Sequence, residues 1–331
     1  MIKLNEKQIV DLFISKFRVN STVSLERDDV AIVSLKKTSK TTMHLILKCD
    51  MLVEHTDVPE IMLPWQIARK SIVSCISDLS AKGIRPYVCL ISIGIPKKYS
   101  KAVVIEDLTY GFQVASREFD VQIVGGDTNE SNELIIDCCM IGFSYNKADI
   151  PRRNGAEPGD LIVVSGKFGY SSSGLKILMN NAKAYGEFRK KAIKSVTQPQ
   201  PQQRFGISLA KYFSSSIDSS DGLSISLYEL ANQSGVNFIL DNIPAAKGVK
   251  DFAEDNQLNY KNLIFHGGEE YEIVATIPQS NMKTAKSIAR ESKLKLYVIG
   301  KVEEGDGKVF LLNETKKKCS LLKNRGYIHF R

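Results

Sequence analysis

The sequence predicts two successive domains, the first α/β and the second α/β or α+β. Three observations carry that expectation. Strand-like apolar runs alternate with helical-period segments in the first half, a Pro/Gly cluster interrupts the pattern at 146–159, and a fresh apolar run opens the second half at 161–165. A chain of 331 residues also exceeds what one small core usually organises. The division is placed at 1–148 and 149–331.

The elements follow in order. Residues 1–17 mix Glu6 and Asp11 with apolar positions, as an amphipathic helix does and a signal peptide does not. Residues 43–49 form an apolar strand with Asp50 at its end. Over 66–82, Ala68, Ile72, Cys75, Ile76 and Leu79 recur at helical spacing; Gly83 then supplies a stop and Pro86 forbids continuation. Residues 87–95 read as a strand. Ser100 is placed to cap a helix with Val104, Leu108, Phe112, Ala115 and Phe119 on one face. A short strand at 121–124 runs into Gly125-Gly126-Asp127, and another spans 134–143. Beyond the boundary, strands at 161–165, 236–240, 271–277 and 295–302 alternate with helices at 223–234 and 280–292. The Pro-Gln stretch 197–203 is a surface loop.

Composition narrows the function classes. Hydrophobic residues make up 43% and charged residues 25%, as in ordinary globular proteins. No stretch approaches the ~18 apolar residues of a membrane span. The formal charge of +8 comes from scattered lysines. Without an arginine-rich tract or aromatic-basic interleaving, they read as a solvated surface rather than a nucleic-acid site. The six cysteines include no CxxC and lie mostly in apolar runs, as in a reduced intracellular protein.

Acidic residues sit where chemistry is commonly done. Asp50 and Asp127 follow apolar runs, and Asp28-Asp29 precedes Val-Ala-Ile. Asp218 and Asp221 flank Ser219-Ser220 ahead of Gly222, and Glu269-Glu270 follows Gly267-Gly268. Asp78 lies within an apolar helix. Each has an ordinary reading as a turn or cap residue. Together, carboxylates brought into one cleft would repel unless hard cations neutralise them, and Mg²⁺ with a polyphosphate suits such a set. No GxxxxGK[ST], GxGxxG or G-x-S-x-G pattern occurs, and only four histidines are present.

The segments RDDVAIV (27–33), CDMLVEHTDV (49–58), SDLSAKGIRP (77–86), VGGDTNES (124–131), RRNGAEPGDLIVVSG (152–166), IDSSDGL (217–223) and GGEEYEI (267–273) resemble those of thiamine-monophosphate kinases. That family shares a superfamily with aminoimidazole-ribonucleotide synthetase and selenophosphate synthetase. The resemblance implies the two-domain aminoimidazole-ribonucleotide-synthetase-like fold, with residues 1–148 as the ATP/Mg-binding dimerisation domain. Residues 149–331 would form an α+β domain completing the cleft. It implies a cytoplasmic homodimer that uses ATP and several Mg²⁺ ions to convert thiamine monophosphate to the diphosphate, without a general base or covalent nucleophile.

By the same resemblance, Asp29, Asp50, Asp78, Asp127, Asp218 and Asp221 would bind Mg²⁺. Tyr110, Gly126, Asp127, Arg153 and Ser220 would contact ATP, and Asp57, Glu269 and Tyr327 the thiamine substrate. Some positions depart from the family pattern. Arg27 stands where glycine is frequent, Lys48-Cys49 where hydroxyl residues are usual, and Asp57 where histidine is common. Another superfamily enzyme, such as aminoimidazole-ribonucleotide synthetase, or a kinase of a different phosphorylated acceptor is the alternative. A nucleotide sensor would be expected to lack some of these acids.

Overall fold

The computed structural model describes residues 6–15, 23–24, 28–36, 42–313 and 318–329. The first half follows α1 (Glu6–Ile14) with a six-stranded sheet. Its strands are β1 (Val23–Ser24), β2 (Ala31–Lys36), β3 (Thr42–Val53), β4 (Pro86–Ile95), β5 (Gln122–Glu130) and β6 (Ile135–Ser144), in the order β1-β2-β3-β6-β4-β5. Only β4 and β5 run parallel. The intervening helices are α2 (Glu54–Asp57), α3 (Pro64–Ala81) and α4 (Ala102–Phe119).

The helix α3 organises the site. Pro64 occupies its first turn, where a missing N–H is harmless, and the Gln66 side chain accepts from the Leu63 N–H. At the other end Gly83 adopts φ 69°, and the Ile84 N–H reaches back to the Leu79 carbonyl. One face packs on β3 and β6, where Ile46, Ile72, Cys75, Ile136 and Cys138 are buried together. The opposite side meets the second half: a Cβ on Gly206 would lie 1.7 Å from the Ser80 carbonyl, so only glycine admits this approach. As a result α3 is buried almost all round, Arg69, Lys70 and Asp78 included.

The second half holds α5 (Tyr170–Asn180), α6 (Gly186–Thr197), α7 (Gln203–Leu209), α8 (Leu223–Ser234), α9 (Val249–Asp255), α10 (Tyr260–Phe265) and α11 (Gln279–Glu291). Its seven-stranded sheet runs β13-β12-β9-β11-β7-β10-β8. The strands are β7 (Leu161–Val164), β8 (Ser215–Ser219), β9 (Val236–Leu240), β10 (Glu272–Ile277), β11 (Tyr297–Glu304), β12 (Val309–Asn313) and β13 (Lys318–Leu321). Alternate residues of its central strands feed two cores. Ile162, Val164 and Val274 face α8 and α10, while Val163, Ile273 and Ala275 face α7 and α11.

The structure amends three local expectations. Asp50 and Asp127 do not end strands: β3 continues to Val53 and β5 to Glu130, held by ladders to β6 and β4. Ser100 does not cap α4; its hydroxyl donates to the Lys97 carbonyl, and Lys101 precedes the helix without a side-chain cap. The N-terminal helix is described over Glu6–Ile14, while Arg27 lies outside the described residues.

Candidate active site

Three elements deliver three carboxylates to one point. The turn before β2 brings Asp29, the last turns of α3 bring Asp78, and β8 brings Asp218. All three are buried, and each offers an oxygen within 4.8 Å of the others. Ser77, on the preceding position of α3, donates to Asp218 Oδ2 at 2.8 Å and ties the two halves together.

Cations surround this group. Lys82, fully buried at the end of α3, places Nζ 2.8 Å from Asp28 Oδ1 and 2.9 Å from Asp29 Oδ2, and donates to the Ser216 carbonyl at 2.7 Å. Arg153 Nε donates to Asp29 Oδ1 at 2.8 Å, and Arg152 Nε lies 3.1 Å from Asp28 Oδ2. Lys48 Nζ lies 2.8 Å from Asp78 Oδ2 and 3.4 Å from Asp50 Oδ1.

The electrostatics record both forces. Burial opposes ionisation of Asp29, but Arg153 and Lys82 outweigh it and hold its carboxyl below the usual range. Burial drives Asp78 well above that range, partly offset by Lys48 and reinforced by Asp218, Asp50 and Asp29. Burial and the nearby Asp29 push Asp218 up to about 7. Asp221 is open to solvent on one side, yet partial desolvation, with Glu6 and Asp50 adding like charge, pushes it up to about 6.

A second group adjoins the first. Ser220 accepts from the Glu269 N–H at 2.6 Å, and Asp221 from the Tyr327 N–H at 3.0 Å, both through main-chain oxygens. Desolvation, followed by the charges of Asp57, Asp221 and Glu269, raises the Tyr327 hydroxyl. Lys70, buried in α3, joins two of these residues: Nζ binds the Glu269 carboxylate and donates to the Asp57 carbonyl at 2.6 Å. The Asp57 carboxylate accepts the Val53 N–H at 2.7 Å. Glu269 Oε2 is buried without a hydrogen-bond partner. Glu269 itself holds φ 62°, a costly backbone for a non-glycine residue.

Three expected residues stand apart. Along the ladders, Asp50, Cys138, Ile91 and Gly126 form one cross-strand row, and Met51, Asp137, Ser92 and Asp127 the next. Three strand spacings, about 14 Å, therefore separate Asp127 from β3 within one chain. Asp127 is exposed. Gly126 approaches β4 so closely that a Cβ would lie 1.7 Å from the Ile91 carbonyl. Tyr110 is also exposed and packs edge-on against Trp65 at 6.2 Å. Trp65 is in the first turn of α3, about 20 Å along the helix from Asp78. Cys49 faces away from Asp78 and donates to Asp137 Oδ1 at 3.1 Å; burial and that bond push its thiol up to about 12.

Sequence reasoning missed the cations Lys48, Lys70, Lys82 and Arg152 as parts of the site. Lys82 lay inside a quoted motif, and its position directly after an acid-bearing helix was the available signal. Two surface cavities, of about 600 and 550 Å³, lie elsewhere, and none of the acids in the cluster lines them.

Comparison with known proteins agrees with this geometry. Residues 27–144 match the family AIR synthase related protein, N-terminal domain, and residues 157–313 its C-terminal domain. The chain is 41% identical to a thiamine-monophosphate kinase of Nitrosopumilus maritimus over 100% of both chains. It is 32% identical to one of Pyrococcus horikoshii over 96% of this chain and 94% of that protein. The solved structure described as "AaThiL complexed with AMPPCP and TMP" superposes with a TM-score of 0.84 at 26% identity, covering 100% of this chain and 99% of the other. The chain belongs to the thiamine-monophosphate kinase family, within the AIR synthase related proteins.

Proposed function

We propose that this protein transfers the γ-phosphoryl group of ATP directly to thiamine monophosphate, forming thiamine diphosphate and ADP. The observation that carries this reading is the convergence of buried Asp29, Asp78 and Asp218 at the junction of the two halves. An all-oxygen donor set of this kind suits a hard cation. Asp29, Asp78 and Asp218 would hold Mg²⁺, with Asp50 and Asp221 beside them. Bound Mg²⁺ would neutralise phosphate oxygens and so reduce the repulsion between two polyanions.

The chain's own residues position and exclude. The acceptor is already an ionised phosphate oxygen, so no side chain has to remove a proton from it. The Cys49 thiol, held protonated and turned to Asp137, is unsuited as a nucleophile. Arg153 and Lys82 fix Asp29 as a carboxylate. Asp57 and Asp221 supply negative charge suited to a thiazolium cation, and Glu269, though paired with Lys70, keeps an orphan Oε2 that can accept a hydrogen bond from a substrate amine.

A homodimer is part of the reading. The face of the first sheet turned away from α3 exposes Met51, Tyr87, Leu90, Val124 and Phe143. A second copy on that face would cover the patch and bring another Asp127 toward the acid cluster. The proposed division is residues 1–148 for dimerisation and ATP/Mg²⁺ binding, and 149–331 for completing the cleft. The setting is cytoplasmic; no helix among the described residues is long and apolar enough to cross a membrane. ADP release in Mg²⁺ is the test. It should require thiamine monophosphate and yield thiamine diphosphate; equal release without the acceptor would refute the assignment.

A further inference from the structure

Lys48 is a half-buried cation set between two carboxylates of the candidate site. It lies on the α3-facing side of β3, two residues before Asp50, and its ammonium sits between Asp78 at 2.8 Å and Asp50 at 3.4 Å. Its side chain is only 18% exposed. It is distinct from the other cations of the cluster, because Arg153 and Lys82 serve Asp29 and Asp28. Among the described ion pairs, Lys48 alone joins Asp78 and Asp50.

We infer that Lys48 is a built-in monovalent cation occupying the position between Asp50 and Asp78 that a divalent ion would otherwise take. The inference rests on the Mg²⁺ reading above and refines it. A hydroxyl residue at this position would leave the two carboxylates facing each other with only a metal ion to separate them. A covalently held ammonium at 2.8 Å satisfies one oxygen of Asp78 permanently and blocks close approach of a second cation. Two consequences follow. The protein binds one divalent ion fewer per chain than a hydroxyl variant, and its acid cluster tolerates metal removal better.

The experiment counts Mn²⁺ bound per chain by electron paramagnetic resonance of the free ion, without nucleotide, and measures Tm in EDTA. It compares wild type with Lys48→Ser, Lys48→Met and Lys48→Arg. Lys48→Ser should gain one Mn²⁺ per chain, melt several degrees lower in EDTA and recover in saturating Mn²⁺. Lys48→Met should melt lower in EDTA and recover less, having no oxygen ligand to offer. Lys48→Arg, which keeps the charge, should match wild type in ion count. Equal Mn²⁺ counts in wild type and Lys48→Ser, with equal Tm in EDTA, would overturn the inference. So would a lower count in Lys48→Ser, which would make Lys48 an aid to metal binding rather than its substitute. If Lys48→Ser folds only with Mn²⁺, the ion count in Mn²⁺ and the comparison with Lys48→Arg still decide. Because these readouts use no substrate, a chain that failed to phosphorylate thiamine monophosphate would remove the functional reading and leave this result standing.

Discussion

The two faces of the first sheet carry acids in opposite circumstances. On the inner face, buried Asp78, Asp29 and Asp218 meet at a junction threaded by Lys48, Lys82 and Arg153, with half-buried Asp50 beside them. On the outer face, Asp127 stands exposed in a row with Met51, Asp137 and Ser92, beside apolar side chains open to solvent. Burial of charge is tolerable only with partners: Asp29, Asp50 and Asp78 pair with lysines and arginines, and Asp218 accepts from the Ser77 hydroxyl. The outer acid needs none, because water solvates it. The difference shows that clustering and strand position are separate properties. An acid can belong to a binding motif and still lie a sheet's width from the others in the same chain.

The largest effect should come from the inner group. Asp78→Asn is expected to lower kcat by on the order of 10³-fold. Its Tm in EDTA should rise or hold, because Asn removes a buried carboxyl whose ionisation is opposed by desolvation and by Asp218, Asp50 and Asp29. A variant that kept wild-type turnover would remove Asp78 from the site.

Asp127→Asn sharpens the contrast between the faces. It should cost about 10²-fold in kcat and leave Tm unchanged, since the residue is exposed. If the outer acid acts on a partner's cluster, mixed dimers of Asp127→Asn and Asp218→Asn should recover activity. Random mixing would give about one quarter of the wild-type rate, because each mixed dimer has one intact site. No recovery in demonstrated mixed dimers would confine both residues to one chain's site.

A smaller effect is expected away from both acidic groups. Glu272 accepts from the Ser165 hydroxyl, and burial pushes its carboxyl up to about 8. The unfolded chain ionises this group near the ordinary carboxylate value, so the folded state binds the extra proton in between. Stability should therefore fall as pH rises from about 4.5 toward 8. Glu272→Gln removes that term. Its Tm advantage over wild type should grow by a few degrees across this interval; a gap independent of pH would show that the group is not held protonated.

How much of this was legible follows from where each kind of information resides. The strand runs at 87–95 and 236–240 and the helices at 66–82 and 223–234 were readable from periodicity, stops and glycine placement, and the structure has them within two residues. The acids were readable because each sits in a local motif. Convergence of Asp29, Asp78 and Asp218 was not, because it depends on packing α3 against β8 across the two halves. The lysines were the main misreading. Lys48, Lys70 and Lys82 look like any others in a chain rich in scattered basic residues, and only tertiary pairing makes them interior groups. The helix α5 and strand β8 were missed because their runs of Ser171–Ser173 and Ser214–Ser216 show little apolar period.

Direct transfer within a charge-neutralising cage needs no protein nucleophile. Its most direct test is the stereochemical course at phosphorus, using ATP with a γ-phosphoryl group made chiral by oxygen isotopes. Direct in-line transfer predicts inverted configuration at the terminal phosphate of thiamine diphosphate. Retention would require two displacements and therefore a phosphorylated protein intermediate, which contradicts direct transfer.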